Sequence, residues 1–75
     1  MKAVVFFKDS AVSPIAVEGL TSIKVRVIGT MTDKKYSGEK CNLFTPSDDE
    51  SYSFNGDTTV SIAGNRISYV EFFKD

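Results

Sequence analysis

The sequence predicts an all-β domain, either a small antiparallel barrel or a barrel-like sandwich of six to seven short strands, with no full helix. Apolar residues alternate or form short blocks rich in Val, Ile, Phe, Tyr and Thr, and turn-forming residues bound these blocks. No helical periodicity is present. At 75 residues the chain is long enough for one small core, so we expect a single domain over residues 1–75.

The first and last predicted strands carry nearly the same residues. Residues 4–9 (VVFFKD) return as residues 70–75 (VEFFKD). Adjacent side chains of a strand point to opposite faces, so each terminal strand places a ring on both sides of its sheet. Such strands belong side by side where both faces are covered, in a barrel, in a sandwich or against a second copy.

These rings are the candidate interaction residues of the chain. We expect one ring of each pair in the core, and any ring left outside to mark the surface where a partner binds. The rings are Phe6, Phe7, Phe72 and Phe73.

The first third of the chain predicts three strands. Residues 2–8 form the first. Pro14 cannot donate to a central ladder, so the short strand over residues 15–17 is expected at an edge. Residues 22–28 alternate most regularly. One face of that strand carries Ile23, Val25 and Val27, and the other carries Lys24 and Arg26.

The middle of the chain is less regular. Residues 30–39 are polar and predict a loop or the tip of a long hairpin. Residues 40–44 predict a fourth strand, also at an edge. Ser47 and Glu50 have capping-box spacing, but strand alternation resumes at residues 52–54, which leaves room for one helical turn only.

The Gly64-Asn65 pair predicts a two-residue hairpin turn of the primed type. Glycine supplies the positive φ that such a turn needs without steric cost. This turn would place Ile62 opposite Ile67, and Val60 opposite Tyr69, on one apolar face.

The turn at residues 55–57 leaves two registers open. A two-residue Asn-Gly loop pairs Tyr52 with Thr59, whereas a bulged loop with Gly56 in the left-handed region pairs Tyr52 with Thr58. We favour the bulged loop because it turns Tyr52 toward the apolar face, and a slip of one residue would reverse every side chain.

The residue inventory argues against catalysis. The chain has no His, which removes the commonest general base and imidazole metal sites. Cys41 alternates with Leu43, as inert core thiols do. The acidic run at residues 48–50 lacks the spacing of a calcium loop. We therefore predict no enzyme, no catalytic or metal-binding residue, no cofactor and no small-molecule substrate.

The single cysteine permits no internal disulfide, which favours a reducing compartment. Only five apolar residues separate Lys2 from Lys8, too few for a signal-peptide core, and no run is long enough to span a membrane. We expect a cytoplasmic protein without membrane contact, or one in the virion or host cytosol if a phage encodes it.

Charge is uneven although the net charge is -1. Basic residues gather between positions 24 and 40, with a tyrosine available for base stacking, as in small β-barrels that bind nucleic acid. The residues of this basic segment are Lys24, Arg26, Lys34, Lys35, Tyr36 and Lys40. A nucleic-acid-binding barrel is therefore the alternative function.

The leading prediction is a non-enzymatic interaction module that self-associates or caps a partner protein. It depends on the two-faced aromatic strands and on the missing histidine, without which no catalytic constellation is evident. In manner the chain resembles small accessory or structural proteins of phages and Gram-positive bacteria. That likeness covers no motif and carries over no functional residue.

Overall fold

The computed structural model describes residues 1–27 and 33–74, and within them it confirms an all-β chain with seven strands and no full helix. The strands are β1 Lys2–Phe7, β2 Ile15–Val17, β3 Ser22–Val27, β4 Asp33–Ser37, β5 Glu50–Asn55, β6 Thr59–Ala63 and β7 Ile67–Phe73. Two short 3₁₀ helices, η1 (Gly38–Leu43) and η2 (Gly64–Arg66), interrupt this order.

The strands form two antiparallel sheets that pack as a sandwich. The three-stranded sheet has the order β2-β1-β7, and the four-stranded sheet has the order β4-β3-β5-β6. The two sheets are not closed into a barrel, so the sandwich is the applicable form of the predicted fold. Four strands lie at sheet edges in this arrangement: β2, β7, β4 and β6.

The first and last strands pair with each other, as their shared residues predict. Their register runs from Lys2 opposite Phe73 to Phe6 opposite Tyr69. A register shift follows, so that Phe7 lies opposite Ile67. β1 is the central strand of its sheet, whereas β7 is at the edge.

The core lies between the inner faces of the two sheets. Phe54 and Ile23 are the largest fully buried side chains. Phe44 packs edge-on against Tyr52 and Phe54, with ring centroids 4.5 Å and 5.6 Å away. Ile23 and Val25 are buried while Lys24 and Arg26 are exposed, so the alternation predicted for β3 is confirmed for these residues. The other buried apolar residues are Ala3, Val5, Val17, Leu20, Cys41, Ile62 and Ile67.

The predicted strand over residues 40–44 is wrong, because most of it lies in η1. A 3₁₀ helix has three residues per turn, so Cys41 and Phe44 turn to the same side and are both buried. Leu43 points outward and is 68% exposed. In the sequence, the signal for this helix is the spacing of three between the apolar residues Cys41 and Phe44.

The predicted Gly64-Asn65 hairpin is also wrong. β6 and β7 belong to different sheets, and η2 carries the chain from one layer to the other. Gly64 does not have a positive φ. A Cβ at Gly64 would clash with the carbonyl oxygen of Ser47 and lie 2.6 Å from that of Glu50, so the glycine is required by close packing over the start of β5.

Both predicted registers of the β5–β6 hairpin are wrong, although the predicted face is right. Tyr52 pairs with Ile62, and Asn55 pairs with Thr59 across a turn of residues 56–58. Gly56 does not occupy the left-handed region. Tyr52 nevertheless points into the core, because burial fixes the face even when the turn residues differ.

The polar segment after β3 contains the second strand of a hairpin, because β4 pairs with β3. The paired positions run from Ser22 opposite Ser37 to Arg26 opposite Asp33. This agrees with the hairpin alternative for residues 30–39. The part of that prediction on residues 30–32 lies outside the described residues, as does the predicted end of the third strand at residue 28.

Candidate interaction surfaces

The outer face of the three-stranded sheet is apolar and aromatic. Ala3 and Val5 of β1 point into the core, so the residues between them point outward, as do their partners on β7. We call this surface the aromatic face. Its residues are Lys2, Val4, Phe6, Ala16, Tyr69, Glu71 and Phe73.

Two ring contacts order the aromatic face. Phe6 and Tyr69 stack directly across the two strands, with centroids 4.4 Å apart and ring planes 12° apart. The Lys2 ammonium lies 5.9 Å from the centroid of the Phe73 ring and also pairs with Glu18 at 3.4 Å. Tyr69 remains 49% exposed and Phe73 46% exposed. These rings are positioned by the sheet yet half open to solvent.

The four predicted interaction residues divide between the two faces. Phe7 and Phe72 turn inward and pack against the core, whereas Phe6 and Phe73 lie on the aromatic face. One ring of each pair thus packs against the core, although Phe7 and Phe72 are only half-buried. Both rings lie toward the margin of the core. The Arg66 guanidinium lies 5.9 Å from the centroid of the Phe7 ring, and the Phe72 and Phe44 ring centroids are 6.5 Å apart.

Sequence reasoning missed Tyr69 as a surface residue. Its assignment to a β6–β7 hairpin placed it on an inner apolar face, opposite Val60. The available signal was its spacing of two from Glu71 and of four from Phe73, which places all three on one side of a strand.

The outer face of the four-stranded sheet is hydroxyl-rich and cationic. Ser53 and Ser61 face each other across β5 and β6, with their Oγ atoms 3.1 Å apart. The Asn55 side chain donates to the Ser22 hydroxyl at 3.3 Å. We call this surface the hydroxyl face. Its described residues include Ser22, Lys24, Arg26, Lys35, Ser51, Ser53, Asn55, Thr59 and Ser61.

The structure divides the predicted basic segment. Lys24 lies directly opposite Lys35, with Arg26 further along β3 on the same face. Tyr36 has the opposite orientation, and its ring lies 6.1 Å from Phe44 on the inner side. The expected tyrosine is therefore not beside these cations.

The remaining two basic residues lie apart from that row. Lys34 has the inward register position opposite Val25, although it borders the same shallow depression as Lys24 and Lys35. Lys40 lies on η1.

Among the described residues, two titratable groups have shifted pKa values, and both belong to the core. Burial raises the pKa of the Cys41 thiol, which donates to the Tyr36 carbonyl oxygen at 3.6 Å. Burial likewise raises the pKa of Tyr52, whose hydroxyl accepts from the Ser47 amide at 2.6 Å. A protonated, enclosed thiol is a weak nucleophile, so Cys41 acts here as packing.

The acidic run is held by an ion pair and a turn. Asp48 pairs with Lys8 at 3.1 Å, which joins the end of β1 to the loop before β5. The amide of Glu50 donates to the Ser47 carbonyl at 3.3 Å, so an isolated hydrogen-bonded turn lies where one helical turn was predicted. Among the described residues, no group of three or more His, Cys, Asp or Glu side chains could hold a metal ion.

Across residues 1–27 and 33–74, no helix is long and apolar enough to cross a membrane. No family model matches the chain, and no curated protein or solved structure matches it.

Proposed function

We propose that the protein is a non-enzymatic interaction module that binds a protein partner through the aromatic face. One observation carries this proposal: Tyr69 and Phe73 project about half-exposed rings from a regular strand, on the same face as the stacked Phe6. Contiguous apolar surface of this kind is typical of sites of protein association.

The energetics favour a partner over solvent. Covering the open half of each ring would contribute about 1 kcal/mol through removal of apolar area from water. The rings are held by the strand, and Tyr69 is further held by its stack with Phe6. Little side-chain entropy therefore remains to be lost on binding. Tyr is also among the residues enriched at interface hot spots.

The experiment compares the wild-type chain with a double variant, Tyr69→Ser with Phe73→Ser. Each chain is tested for self-association by sedimentation equilibrium and for retention of proteins from an extract of the cell that encodes it. We expect the wild type to associate in at least one of these measurements and the double variant to lose that association at least ten-fold.

Leu43→Ser is the matched control, because Leu43 is an exposed apolar side chain on η1 rather than on the aromatic face. It should keep the wild-type association. Unfolding curves for all three chains establish that each is folded. Equal behaviour of the wild type and the double variant in both measurements would refute the proposal.

A second candidate function has its own observation. Lys24 and Lys35 lie directly opposite each other, with Arg26 on the same face. Cations placed together on one face of a sheet are suited to contact the phosphates of a polyanion such as nucleic acid. We propose nucleic-acid binding at the hydroxyl face as the alternative to protein binding.

A gel-shift titration at low salt tests the alternative with single- and double-stranded probes. The double variant Lys24→Gln with Lys35→Gln should abolish any shift. The charge-matched control, Lys40→Gln with Lys74→Gln, should retain it, since these exposed residues lie on η1 and after β7. An unshifted wild-type sample, or equal loss in both double variants, would refute it.

A further inference from the structure

We propose that β7 pairs antiparallel with β7 of a second copy, about a two-fold axis at Glu71, joining two three-stranded sheets into one continuous sheet. This inference rests on the proposed function, because the paired edges would bring Tyr69 of one copy against Phe73 of the other within the aromatic face. Two observations support it: β7 is the least protected sheet edge, and its residues complement themselves in one register.

The other edges carry features that discourage strand addition. β2 has three residues and follows Pro14 closely. β4 presents Lys34 and Lys35. β6 is short, and its outward residues Thr59 and Ser61 are polar. Short edges, proline and lysine are the usual protections against pairing with another chain.

β7 has fewer of these protections, and Glu71 is its one charged residue. With seven residues, it is the longest of the described strands, and it contains neither Pro nor Lys. Its only backbone partner in the described part of the chain is β1, on one side. The amide and carbonyl groups on its other side are therefore open to a ladder with a further strand.

One register matches both faces of β7 to themselves. Opposed residues of an antiparallel pair share a face, so the two-fold axis must pass through a residue position. With the axis at Glu71, Tyr69 lies opposite Phe73 of the second copy on the aromatic face. Val70 lies opposite the second copy's Phe72 on the inner face. Both pairings are of the aromatic and β-branched kinds that stabilise sheets.

Moving the axis by one position is unfavourable. An axis at Val70 would set Phe73 opposite Ile67 of the second copy, yet Ile67 is buried beyond the register shift. It would also set Tyr69 opposite Glu71. The Glu71 axis is therefore the one that preserves every apolar pairing of the regular part of β7.

The same register opposes Glu71 to Glu71 of the second copy. Like charges directly opposite each other weaken a strand pair, so the two Glu71 carboxylates repel each other at the axis of the homodimer. A copy with a cation at this position would relieve that repulsion. Wild type and a Glu71→Lys variant should thus prefer each other to themselves.

Sedimentation equilibrium tests this preference. The samples are wild type alone, Glu71→Lys alone, and equimolar mixtures of wild type with either Glu71→Lys or Asp49→Lys. Asp49→Lys makes the same change in net charge at an exposed turn away from β7, so it controls for general attraction between oppositely charged chains. We expect the Glu71→Lys mixture to associate about five-fold more tightly than either chain alone. The Asp49→Lys mixture should match the wild type.

Amide hydrogen exchange gives a second readout. Amides on the open side of residues 69–73 should exchange more slowly as the wild-type concentration rises, because the intermolecular ladder protects them. Strictly monomeric wild type up to about 1 mM, or equal association of the two mixtures, would overturn the inference. If association with another protein still requires Tyr69 and Phe73 in that case, the proposed function stands and only the second copy is excluded.

Discussion

The two outer faces of this sandwich obey the same alternation of side chains but have opposite chemistry. On the four-stranded sheet, outward positions carry Ser, Thr, Asn, Lys and Arg. On the three-stranded sheet they carry Phe6, Tyr69 and Phe73. An antiparallel sheet needs only one covered face, and the hydroxyl face is the ordinary solvated one. The aromatic face differs from it, and it is the surface where we propose that a partner binds.

The largest expected effect separates inner rings from outer rings. Phe54→Ala should lower the free energy of unfolding by about 4 kcal/mol, because Phe54 is fully buried and its loss leaves a cavity. Phe73→Ala should lower it by less than about 1 kcal/mol. Urea titrations followed by circular dichroism measure both values. Equal losses would mean that the aromatic face supports the fold and needs no partner.

The next effect tests how the two sheets are joined. Gly64→Ala should cost about 3 kcal/mol, because the added methyl group meets the backbone carbonyl of Glu50. Gly38→Ala is the control. Gly38 has φ +57° and open space around it, so an added methyl group meets no neighbour. The left-handed backbone conformation alone should lower the free energy of unfolding, by about 1 kcal/mol. If Gly64→Ala is the milder change, η2 does not hold the layers as described.

A smaller effect concerns the polar end of the core. Tyr52→Phe removes the acceptor of the Ser47 amide and should cost about 1 kcal/mol at neutral pH. Because burial raises the pKa of Tyr52 above its usual value near 10, the unfolded chain ionises first. The contribution of Tyr52 to folding stability is therefore fully present below the pKa of tyrosine in the unfolded chain. It is lost as the pH rises through the higher pKa of the folded state. Wild type should therefore lose more stability than Tyr52→Phe in unfolding titrations from pH 9 upward. Parallel pH profiles would contradict this.

The smallest effect is expected on the hydroxyl face. Ser53→Ala with Ser61→Ala removes an exposed hydrogen bond and should change the unfolding free energy by no more than about 0.5 kcal/mol. Chemical denaturation gives the value, with Tyr69→Ser as the comparison on the other face. A much larger loss would show that both faces carry structural demands, and the contrast between them would disappear.

Regular alternation made part of the fold predictable from sequence. Lys24 and Arg26 point out, and Ile23 and Val25 point in, because a half-buried strand leaves little choice. The pairing of the terminal strands followed from their shared residues. The inward turn of Tyr52 followed from burial.

The errors arose where a short signal had two physical meanings. Gly64-Asn65 suits a hairpin turn, but a glycine is equally required where two backbones meet closely, and that contact exists only in the folded chain. Cys41 and Leu43 alternate in sequence, whereas burial selects Cys41 and Phe44, three apart. Whether Phe6 or Phe7 is covered depends on which face of β1 packs against the other sheet, and no local pattern contains that information.

The ladder between β1 and β7 also bears on how the chain assembles in time. The four-stranded sheet needs only residues from Ser22 to Ala63, whereas the three-stranded sheet is completed by pairing Lys2 with Phe73. During synthesis from the N-terminus, β1 must wait for the last strand, with only the short β2 to pair with. Contacts between distant positions also carry the largest loop-closure entropy and form slowly. The strand richest in adjacent Val and Phe is thus the one that stays incompletely paired longest in a nascent chain.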